Sequence, residues 1–346
     1  MRAIFASTVV LAFGCSEVKR ETVDRFKDYD ETAWTGAGDC EDYAPPADAT
    51  SRPPRIGAWN IRYFPDSQEG PQSDADKATD VPWLSCAVAS LGVDVLAVQE
   101  IKQTPESVDK QRELVDLLNS RTGGDWQLQV AGCAPNDVQH PGFLYDASRV
   151  TGEHFREVPL LNPDPVCSND ASPGFAGYFR INGGPDFHLV SVHMHSGSSQ
   201  DPADGRAHAL SAMPDVIQEA QALVADNDVF FAGDFNTSGC ENCSPSFTSE
   251  EEIASVVEQF DEPSHPLRLI PASERCSRED GGDSPLLDHI AATDTTQEVG
   301  ADPIAVVSGI CAEFKCDRMR EWHEDARERL SDHCPVLLDL AAADQD

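Results

Sequence analysis

Short apolar runs of strand length recur along the chain from Arg55 onward, and their recurrence restricts the fold more than any other feature. The runs are 55–61, 93–99, 142–145, 187–193, 228–233, 287–291 and 335–340. Two longer stretches, 107–119 and 206–224, repeat apolar residues at helical spacing. Strands and helices in this mixture favour two sheets packed face to face with helices outside, rather than a strictly alternating doubly wound sheet.

A polar side chain stands directly at the end of several of these runs. One such residue alone is usually a turn residue or a helix cap. Several together carry more weight, because strand ends on one edge of a sheet converge in one pocket. The residues placed in this way are Asn60, Glu100, Asp234, Asn236, Asp332 and His333.

Six short motifs contain these positions and follow one another along the chain. They are WNIR at 59–62, VQE at 98–100, SVHMHS at 191–196, GDFN at 233–236, LDHI at 287–290 and SDHCPV at 331–336. Together they resemble the signature set of the endonuclease/exonuclease/phosphatase superfamily, which includes deoxyribonuclease I, abasic-site endonucleases, sphingomyelinases and inositol-polyphosphate phosphatases. The resemblance covers residues 53–342. It implies a four-layered α/β/β/α sandwich of two mainly antiparallel sheets flanked by helices, with the site at one edge of the sheets.

The residue types suit the hydrolysis of a phosphate ester. The ester oxygens are negatively charged, so such a site needs a cation, an oriented water molecule and a proton donor for the leaving oxygen. Glu100 offers a hard carboxylate oxygen and Asn60 a neutral oxygen, a combination that suits Mg²⁺, with Mn²⁺ or Ca²⁺ as alternatives. Arg62 and Arg180 are the expected phosphate-binding cations, because a guanidinium group matches phosphate geometry.

The resemblance assigns further roles around this metal. Asp332 joins Asn60 and Glu100 in the metal site. His333 matches the family histidine that activates water or contacts the phosphate, and Asp288 matches the carboxylate that orients its ring.

The two polar residues of the GDFN motif point the same way in an extended segment, because they are two positions apart. Asp234 is expected to orient the attacking water, and Asn236 to donate to a phosphoryl oxygen. His193 matches the second family histidine, with His195 as an open alternative on the same strand face. The predicted catalytic residues are therefore His193, Asp234, Asn236, Asp288 and His333.

Two positions depart from the family pattern. Relatives of the deoxyribonuclease I type carry a Glu before the strand that corresponds to 142–145, where it orients the second histidine. This chain has Gln139 and His140 there, so one of them would have to replace the carboxylate. His289 follows Asp288 in place of an aromatic residue or Arg, and we expect it to be a strand residue.

The N-terminal segment has the features of an export signal. Arg2 precedes an apolar run that ends at Gly14, which is too short to span a bilayer as a stable helix. The sequence LAFGC at 11–15 resembles a bacterial lipoprotein cleavage site, which would make Cys15 the lipidated first residue of the mature chain. We expect a signal peptide over 1–15, an acidic polar linker over 16–52 and a catalytic domain over 53–342.

The cysteine count agrees with export. Eleven cysteines less Cys15 leave ten, an even number that allows five disulfides in an oxidising compartment, or fewer disulfides with some free thiols. Cys240 and Cys243 lack a second pair at zinc-site spacing, so no zinc site is predicted. By resemblance to secreted deoxyribonucleases, these two cysteines together with Cys276 could close a loop after the GDFN motif.

The charge of the chain bears on its substrate. Lys and Arg number 25 against 61 Asp and Glu, which gives a formal net charge of -36. This surface repels polyanions unless cations intervene. Export, the expected disulfides and the Asn-Ile-Arg pattern nevertheless favour an exported monomeric phosphodiesterase, secreted or anchored to the bacterial cell envelope through Cys15 alone, that acts on nucleic acid. The alternatives are a phosphatase or sphingomyelinase-type enzyme acting on a smaller ester and, ranked lower, a non-catalytic surface binding protein.

Overall fold

The structure, a computed structural model, describes Trp34 and residues 52–66, 78–133, 138–162, 174–279, 284–313, 316 and 324–344. Its first sheet has six strands in the order β11-β12-β1-β2-β4-β3. The strands are β1 (Arg55–Phe64), β2 (Val95–Ile101), β3 (Trp126–Val130), β4 (His140–Asp146), β11 (Val306–Val307) and β12 (Val336–Asp339).

The second sheet also has six strands, in the order β5-β6-β7-β8-β10-β9. They are β5 (Val150–Val158), β6 (Gly174–Ile181), β7 (Asp186–His193), β8 (Val229–Asp234), β9 (Leu267–Leu269) and β10 (Asp288–Thr293). Each sheet contains one parallel pair, β1 with β2 and β7 with β8, and its other pairs are antiparallel. The predicted pair of mainly antiparallel sheets is confirmed.

Six α-helices lie in the described residues, together with a 3₁₀ turn at Pro159–Leu161. They are α1 (Val81–Leu91), α2 (Pro105–Thr122), α3 (Gln200–Leu223), α4 (Ser249–Phe260), α5 (Ile310–Glu313) and α6 (Glu324–Arg329). The long ones begin and end at recognisable signals. Thr104 caps the first turn of α2 through its side chain, and Gly123 ends this helix in the left-handed conformation.

The helices cover the two outer faces of the sandwich. Apolar residues of α1 and α2 pack with the first sheet in one core cluster, and those of α3 and α4 pack with the second sheet in another. Between the sheets lies a group of aromatic rings whose neighbours are 5.1 to 6.2 Å apart, centred on Phe143, Phe155 and Phe179. Burying each large ring contributes roughly 1.5–3 kcal/mol, so this layer holds the sheets face to face.

The N-terminal predictions fall almost entirely outside the described residues, including the signal at 1–15 and Cys15. Trp34 is the exception within the predicted linker. It is buried, and its ring meets that of Trp59 edge to face with the centroids 5.5 Å apart. At this residue the predicted linker therefore packs on the folded body. Within the described part of the chain, no helix has the length and apolar character needed to cross a membrane.

Disulfides connect the loops on the side of the first sheet. Cys276 bonds Cys316 and Cys311 bonds Cys334, whereas Cys240 bonds Cys243. The expected loop joining Cys276 to the 240–243 pair is therefore wrong, because Cys276 is bonded elsewhere. Disulfides of this kind are typical of proteins outside the cytoplasm.

Candidate active site

The polar residues of the motifs meet at one edge of the sandwich, where the parallel strands of both sheets end. Asn60 and Glu100 come from neighbouring strands of the first sheet, and His193 and Asp234 are the last residues of neighbouring strands of the second. All four are buried. The two parallel pairs thus bring their carboxyl ends to the same edge.

Backbone irregularities aim these side chains. Glu100 and Asn236 both have positive φ values, 63° and 52°, which are uncommon for residues with a side chain. The register of β1 against β2 shifts after Asn60, so that Phe64 pairs with Ile101. These departures from regular strand geometry turn the chain at the site rather than continuing the sheet.

A hydrogen-bonded group of carboxylates joins the two sheets. The Nδ2 atom of Asn60 donates to Oε1 of Glu100 at 2.9 Å and to Oδ2 of Asp234 at 3.1 Å. The other oxygen of Glu100 accepts from the backbone N–H of Tyr63 at 3.0 Å. The side-chain oxygen Oδ1 of Asn60 accepts from the backbone N–H of Arg62 at 3.0 Å, which fixes the amide in the orientation that links the two carboxylates through Nδ2.

Two histidines face the same carboxylate. The Nε2 atoms of His193 and His333 each lie 3.7 Å from Oδ2 of Asp234. His193 is also 3.6 Å from Oε1 of Glu100. On the other side of the His333 ring, Nδ1 lies 2.8 Å from Oδ2 of Asp288. The predicted pairing of Asp288 with His333 is present, and it leaves Nε2 of His333 facing Asp234 at the centre of the site.

Ser277 is a site residue that sequence reasoning missed. Its hydroxyl donates to Oδ2 of Asp288 at 2.7 Å and accepts from the backbone N–H groups of Leu287 and Asp288. The carbonyl of Ser277 accepts from the N–H of Cys334, next to His333. The serine is fully buried, and its hydrogen bonds connect the segment that carries Asp288 to the segment that carries His333. It lies between β9 and β10, where the sequence has no periodic pattern to mark it.

Asn236 is held beside the same group. Its backbone N–H donates to Oδ1 of Asp234 at 2.8 Å, and its Nδ2 atom donates to the carbonyl of Met194 at 2.9 Å. One N–H of that amide remains for a further partner. The turn after β8 therefore points both polar residues of the GDFN motif toward the site.

Burial and mutual charge shift the protonation of these groups. Burial raises the pKa of Glu100 and that of Asp234. Burial is also the largest influence on His333 and acts to lower its pKa, but the carboxylates of Asp288 and Asp234 outweigh it and raise that pKa to about 10. At neutral pH the site therefore combines a protonated His333 with two carboxyl groups, Glu100 and Asp234, whose pKa values are raised.

The donor set fits a hard divalent cation. One atom each of Asp234, Asp288 and His333 that could bind a cation lies within 4.8 Å of the other two, and His333 would have to lose a proton to do so. The Oδ1 atom of Asp288 is buried and has no hydrogen-bond partner. Glu100 adds another carboxylate from the first sheet, and buried carboxylates of this density repel one another unless a cation is bound. Metal binding by Asn60, Glu100 and Asp332 stays a prediction.

Arginines lie on the Asp332 side of the site. The Nε of Arg62 is 3.7 Å from Oδ1 of Asp332, and that of Arg278 is 3.3 Å from Oδ2. Burial acts to raise the pKa of Asp332, but the neighbouring cations, His333 first and then the two arginines, hold it below its usual range. Arg278 was not predicted from the sequence.

The structure does not bring Arg180 to the site. It pairs with Asp186 at the beginning of β7, whereas His193 ends the same strand. Its guanidinium group contacts Glu153 and lies 3.7 Å from Asp186. The prediction that Arg180 binds the substrate phosphate is corrected, because the length of β7 separates it from the two histidines.

The remaining histidines have other surroundings. His195 lies past the end of β7, beside Gly205 of α3, so the geometry favours His193 as the second catalytic histidine. No carboxylate apart from Glu100 and Asp234 contacts the His193 ring among the described residues. His289 is buried in β10 next to Phe235, and burial lowers its pKa to about 4, which fits the predicted strand residue.

Comparisons with known proteins show which solved structures share this fold. No family profile and no curated protein matches the sequence. Among solved structures, an endonuclease/exonuclease/phosphatase protein from Bacteroides vulgatus is similar over 83% of this chain and 98% of its own, with 15% identity and a TM-score of 0.55. A mannosyl-6-phosphatase from Bacteroides thetaiotaomicron matches over 83% and 99%, with 16% identity and a TM-score of 0.53.

A third similar structure contains nucleic acid. The D. rerio TDP2, complexed with single strand DNA product, matches over 83% of this chain and 98% of its own, with 16% identity and a TM-score of 0.50. These structures and the paired six-stranded sheets agree on one architecture. The chain has the α/β sandwich fold of the endonuclease/exonuclease/phosphatase proteins.

Proposed function

We propose that the protein is a divalent-metal-dependent phosphodiesterase that hydrolyses nucleic acid outside the cytoplasm. The observation that carries this proposal is the Asp288–His333 dyad, whose ring faces Asp234 at the seam of the two sheets. Similar folds occur in a structure with a DNA product and in a phosphatase, which supports phosphoester chemistry. The disulfides support a location outside the cytoplasm, and export through residues 1–15 with lipidation of Cys15 completes the proposal.

The charges around Asp234 suggest how the chain's own residues act. Asp234 has a raised pKa and is within 3.7 Å of both imidazole rings, so it is suited to orient a water molecule and accept its proton. His333, protonated and held by Asp288, donates from Nε2 to a phosphoryl oxygen. His193 protonates the leaving oxygen as the phosphorus–oxygen bond breaks.

A bound Mg²⁺ would neutralise the charge that develops on the phosphoryl oxygens. Glu100, with Asn60 and Asp332, would hold it, and the buried carboxylates of the site are the reason it fits. Mn²⁺ or Ca²⁺ could take the same place, because all three cations accept oxygen ligands.

The net charge of -36 favours a second candidate, a phosphatase or a sphingomyelinase-type enzyme acting on a small ester. A small substrate needs little cationic surface, unlike a nucleic-acid strand. A non-catalytic binding protein is less well supported, because such a protein has no need for a buried Ser277–Asp288–His333 arrangement.

The experiment is an activity screen with purified protein in Mg²⁺, Mn²⁺ or Ca²⁺. Plasmid DNA, RNA, sphingomyelin and a set of phosphomonoesters are the substrates. We expect DNA or RNA cleavage that EDTA abolishes and that His333→Ala lowers by about 10³-fold or more. Cleavage of the small esters alone would favour the second candidate. Activity on no substrate, or activity unaffected by EDTA, would exclude a metal-dependent phosphoesterase.

A further inference from the structure

Arg206 is a buried arginine near the beginning of α3, and its side chain is only 1% exposed. Its Nε and Nη2 atoms donate to the two carboxylate oxygens of Glu252 at 2.7 and 3.0 Å. Nη1 donates to the carbonyls of His195 and Gly197 at 3.1 and 2.8 Å, and Nη2 also donates to that of Gly239 at 2.9 Å. A guanidinium group has five N–H donors, so each of them has a partner here.

The three carbonyls belong to the two segments that follow the strands of the site. His195 and Gly197 come directly after β7, which ends at His193. Gly239 comes after β8, three positions beyond Asn236. One guanidinium group therefore joins the segment after β7 to the segment after β8, at the edge where both strands bring their polar residues.

Further hydrogen bonds join the same two segments. The Nδ2 atom of Asn236 donates to the carbonyl of Met194 at 2.9 Å, and the hydroxyl of Ser238 donates to that of Gly197 at 3.0 Å. Both bonds require a fixed distance between the segments. Arg206 sets that distance, because its planar group bonds the backbone of each segment at once.

Glu252 fixes the guanidinium group from α4. Its Oε2 atom also accepts the backbone N–H of Gly239 at 2.7 Å, so the carboxylate holds the segment after β8 directly as well. The hydroxyl of Ser249, in the first turn of α4, donates to the carbonyl of Thr237 in the same segment. Burying an ion pair adds little net stability, whereas a bidentate contact fixes orientation, so the pair is suited to position what it touches.

Asn236 is the site residue that lies within this clamp. Its backbone has a φ of 52°, a conformation that persists in a residue with a side chain only where the surroundings hold it. On one side Asp234 is fixed in β8, and on the other Gly239 is fixed by Arg206 and Glu252. The orientation of the Asn236 amide therefore depends on the buried ion pair.

We propose that Arg206, held by Glu252, is a positioning residue that keeps the remaining N–H of the Asn236 amide directed at a phosphoryl oxygen of the substrate. This role rests on the proposed function, in which Asn236 is a donor to that oxygen. Arg206 does not touch the substrate, because it is buried and its five donors are all used within the protein.

The test variant is Arg206→Lys, which keeps a positive charge beside Glu252 but has three donors on a compact group and cannot bond both segments. Arg55→Lys is the matched control. Arg55 is also buried and donates to the carboxylate of Asp339 and to the carbonyl of Leu91, but it stands at the beginning of β1, at the far end of that strand from Asn60. Both variants should have a lower melting temperature than wild type.

The rates are measured on a short single-stranded DNA in Mg²⁺, at a temperature where all variants are folded. We expect Arg206→Lys to lower kcat about tenfold with KM within about twofold, and Arg55→Lys to leave both within about twofold. Asn236→Ala should lower kcat roughly 100-fold, and adding Arg206→Lys to it should lower kcat by no more than about twofold further. A full tenfold further loss in the double variant, or an Arg206→Lys effect confined to KM, would overturn the positioning role.

A second variant covers the case in which Arg206→Lys does not fold. Glu252→Gln keeps one side-chain oxygen and loses the bidentate acceptor, so it should lower kcat in the same direction by about threefold to tenfold. Its effect should also largely disappear in the Asn236→Ala background. Additive effects of Glu252→Gln and Asn236→Ala would overturn the positioning role as well.

Hydrogen exchange gives a readout that needs no turnover. In Arg206→Lys the backbone amides of residues 236–241 should exchange at least about fivefold faster than in wild type, and those of β10 should be unchanged. Unchanged exchange over 236–241 would show that Arg206 does not hold this segment. A wild-type protein that cleaves no DNA would refute the proposed nuclease function, whereas the exchange rates would still decide whether Arg206 fixes the Asn236 turn.

Discussion

At the scale of single residues, Ser277 should control the catalytic dyad without touching substrate. Ser277→Ala removes the donor to Oδ2 of Asp288, and the loss of a hydrogen bond to a charged group costs about 1.5–3 kcal/mol. We expect kcat to fall roughly 10- to 100-fold. The pH profile limb that belongs to His333 should move upward, because a carboxylate without that donor holds the imidazolium more strongly.

The control for this prediction is Ser90→Ala, which removes another buried hydroxyl that donates to a helix carbonyl in α1. Measured pH profiles of kcat for both variants and for Ser277→Thr separate positioning from packing. Ser277→Thr keeps the hydroxyl and should recover part of the rate. An unshifted profile in Ser277→Ala would show that the serine serves only the fold.

Asp228 gives a prediction about stability and pH. It is 1% exposed and hydrogen-bonded to Glu298, and burial followed by this neighbouring carboxylate raises its pKa to about 9. The folded state therefore binds a proton that the unfolded state has released above its pKa of about 4, so the free energy of unfolding falls as pH rises from about 4 to 9. Asp228→Asn should raise the melting temperature at pH 8 by about 2 °C or more and change little at pH 4.

The measurement for Asp228→Asn is thermal unfolding across this pH range, with Asp109→Asn as a control, since the Asp109 side chain is 76% exposed. The amide of the variant can donate to Glu298, which explains the direction of the change. A variant less stable than wild type at pH 8 would show that Asp228 is ionised there and has a cation as its partner.

The arginines show which site residues can be predicted from the sequence and which cannot. Asp234 and Asn236 were found because both lie within one short motif at the end of a strand. Arg278 lies beside Asp332, which is 54 positions away in the chain, and the loop that contains Arg278 has no periodic pattern. The partner of Arg180 depends on which strands pair, and a guanidinium group suits a surface ion pair as well as a phosphate.

At the scale of elements, the parallel pairing of β7 with β8 leaves no room for a side chain at Gly233. Its φ is 149°, and an added Cβ would lie 2.1 Å from the carbonyl oxygen of Val192 and 3.0 Å from Nε2 of Gln99. We expect Gly233→Ala to cost about 3 kcal/mol or more and to lower activity, because Asp234 follows directly. Denaturant unfolding measures the loss, with Gly300→Ala as the neutral control, since nothing lies within 4 Å of its added Cβ.

Most of the strands that were missed are more exposed than those that were predicted. The central strands β1, β2, β7, β8 and β10 are buried on both faces and appear in the sequence as apolar runs. The edge strand β5 has mostly partly exposed residues, such as Glu153 and Arg156, and its sequence gives no apolar run. Strand β11 has two residues, too few for any pattern. Exposed or very short edge strands are therefore set by tertiary pairing, whereas β6 was missed although it lies inside its sheet and is almost wholly buried.

At the scale of the whole molecule, the disulfides should differ in what they contribute. In the chain-entropy account, the bond between Cys276 and Cys316, 40 positions apart, stabilises by about 4 kcal/mol, and the Cys240–Cys243 bond, 3 apart, by about 1.6 kcal/mol. Replacing Cys276 and Cys316 with Ser should lower the melting temperature more than replacing Cys240 and Cys243. It should also lower kcat, because Ser277 is adjacent. Equal losses from the two double variants would contradict this order.

The hydrogen bond from Asn60 to Asp234 and the pairing of Asp288 with His333 each join one sheet to the other. Neither half of the sandwich therefore holds a working site alone. A chain with its sheets formed but undocked would therefore lack the site. Activity is thus a readout of completed assembly of the two sheets.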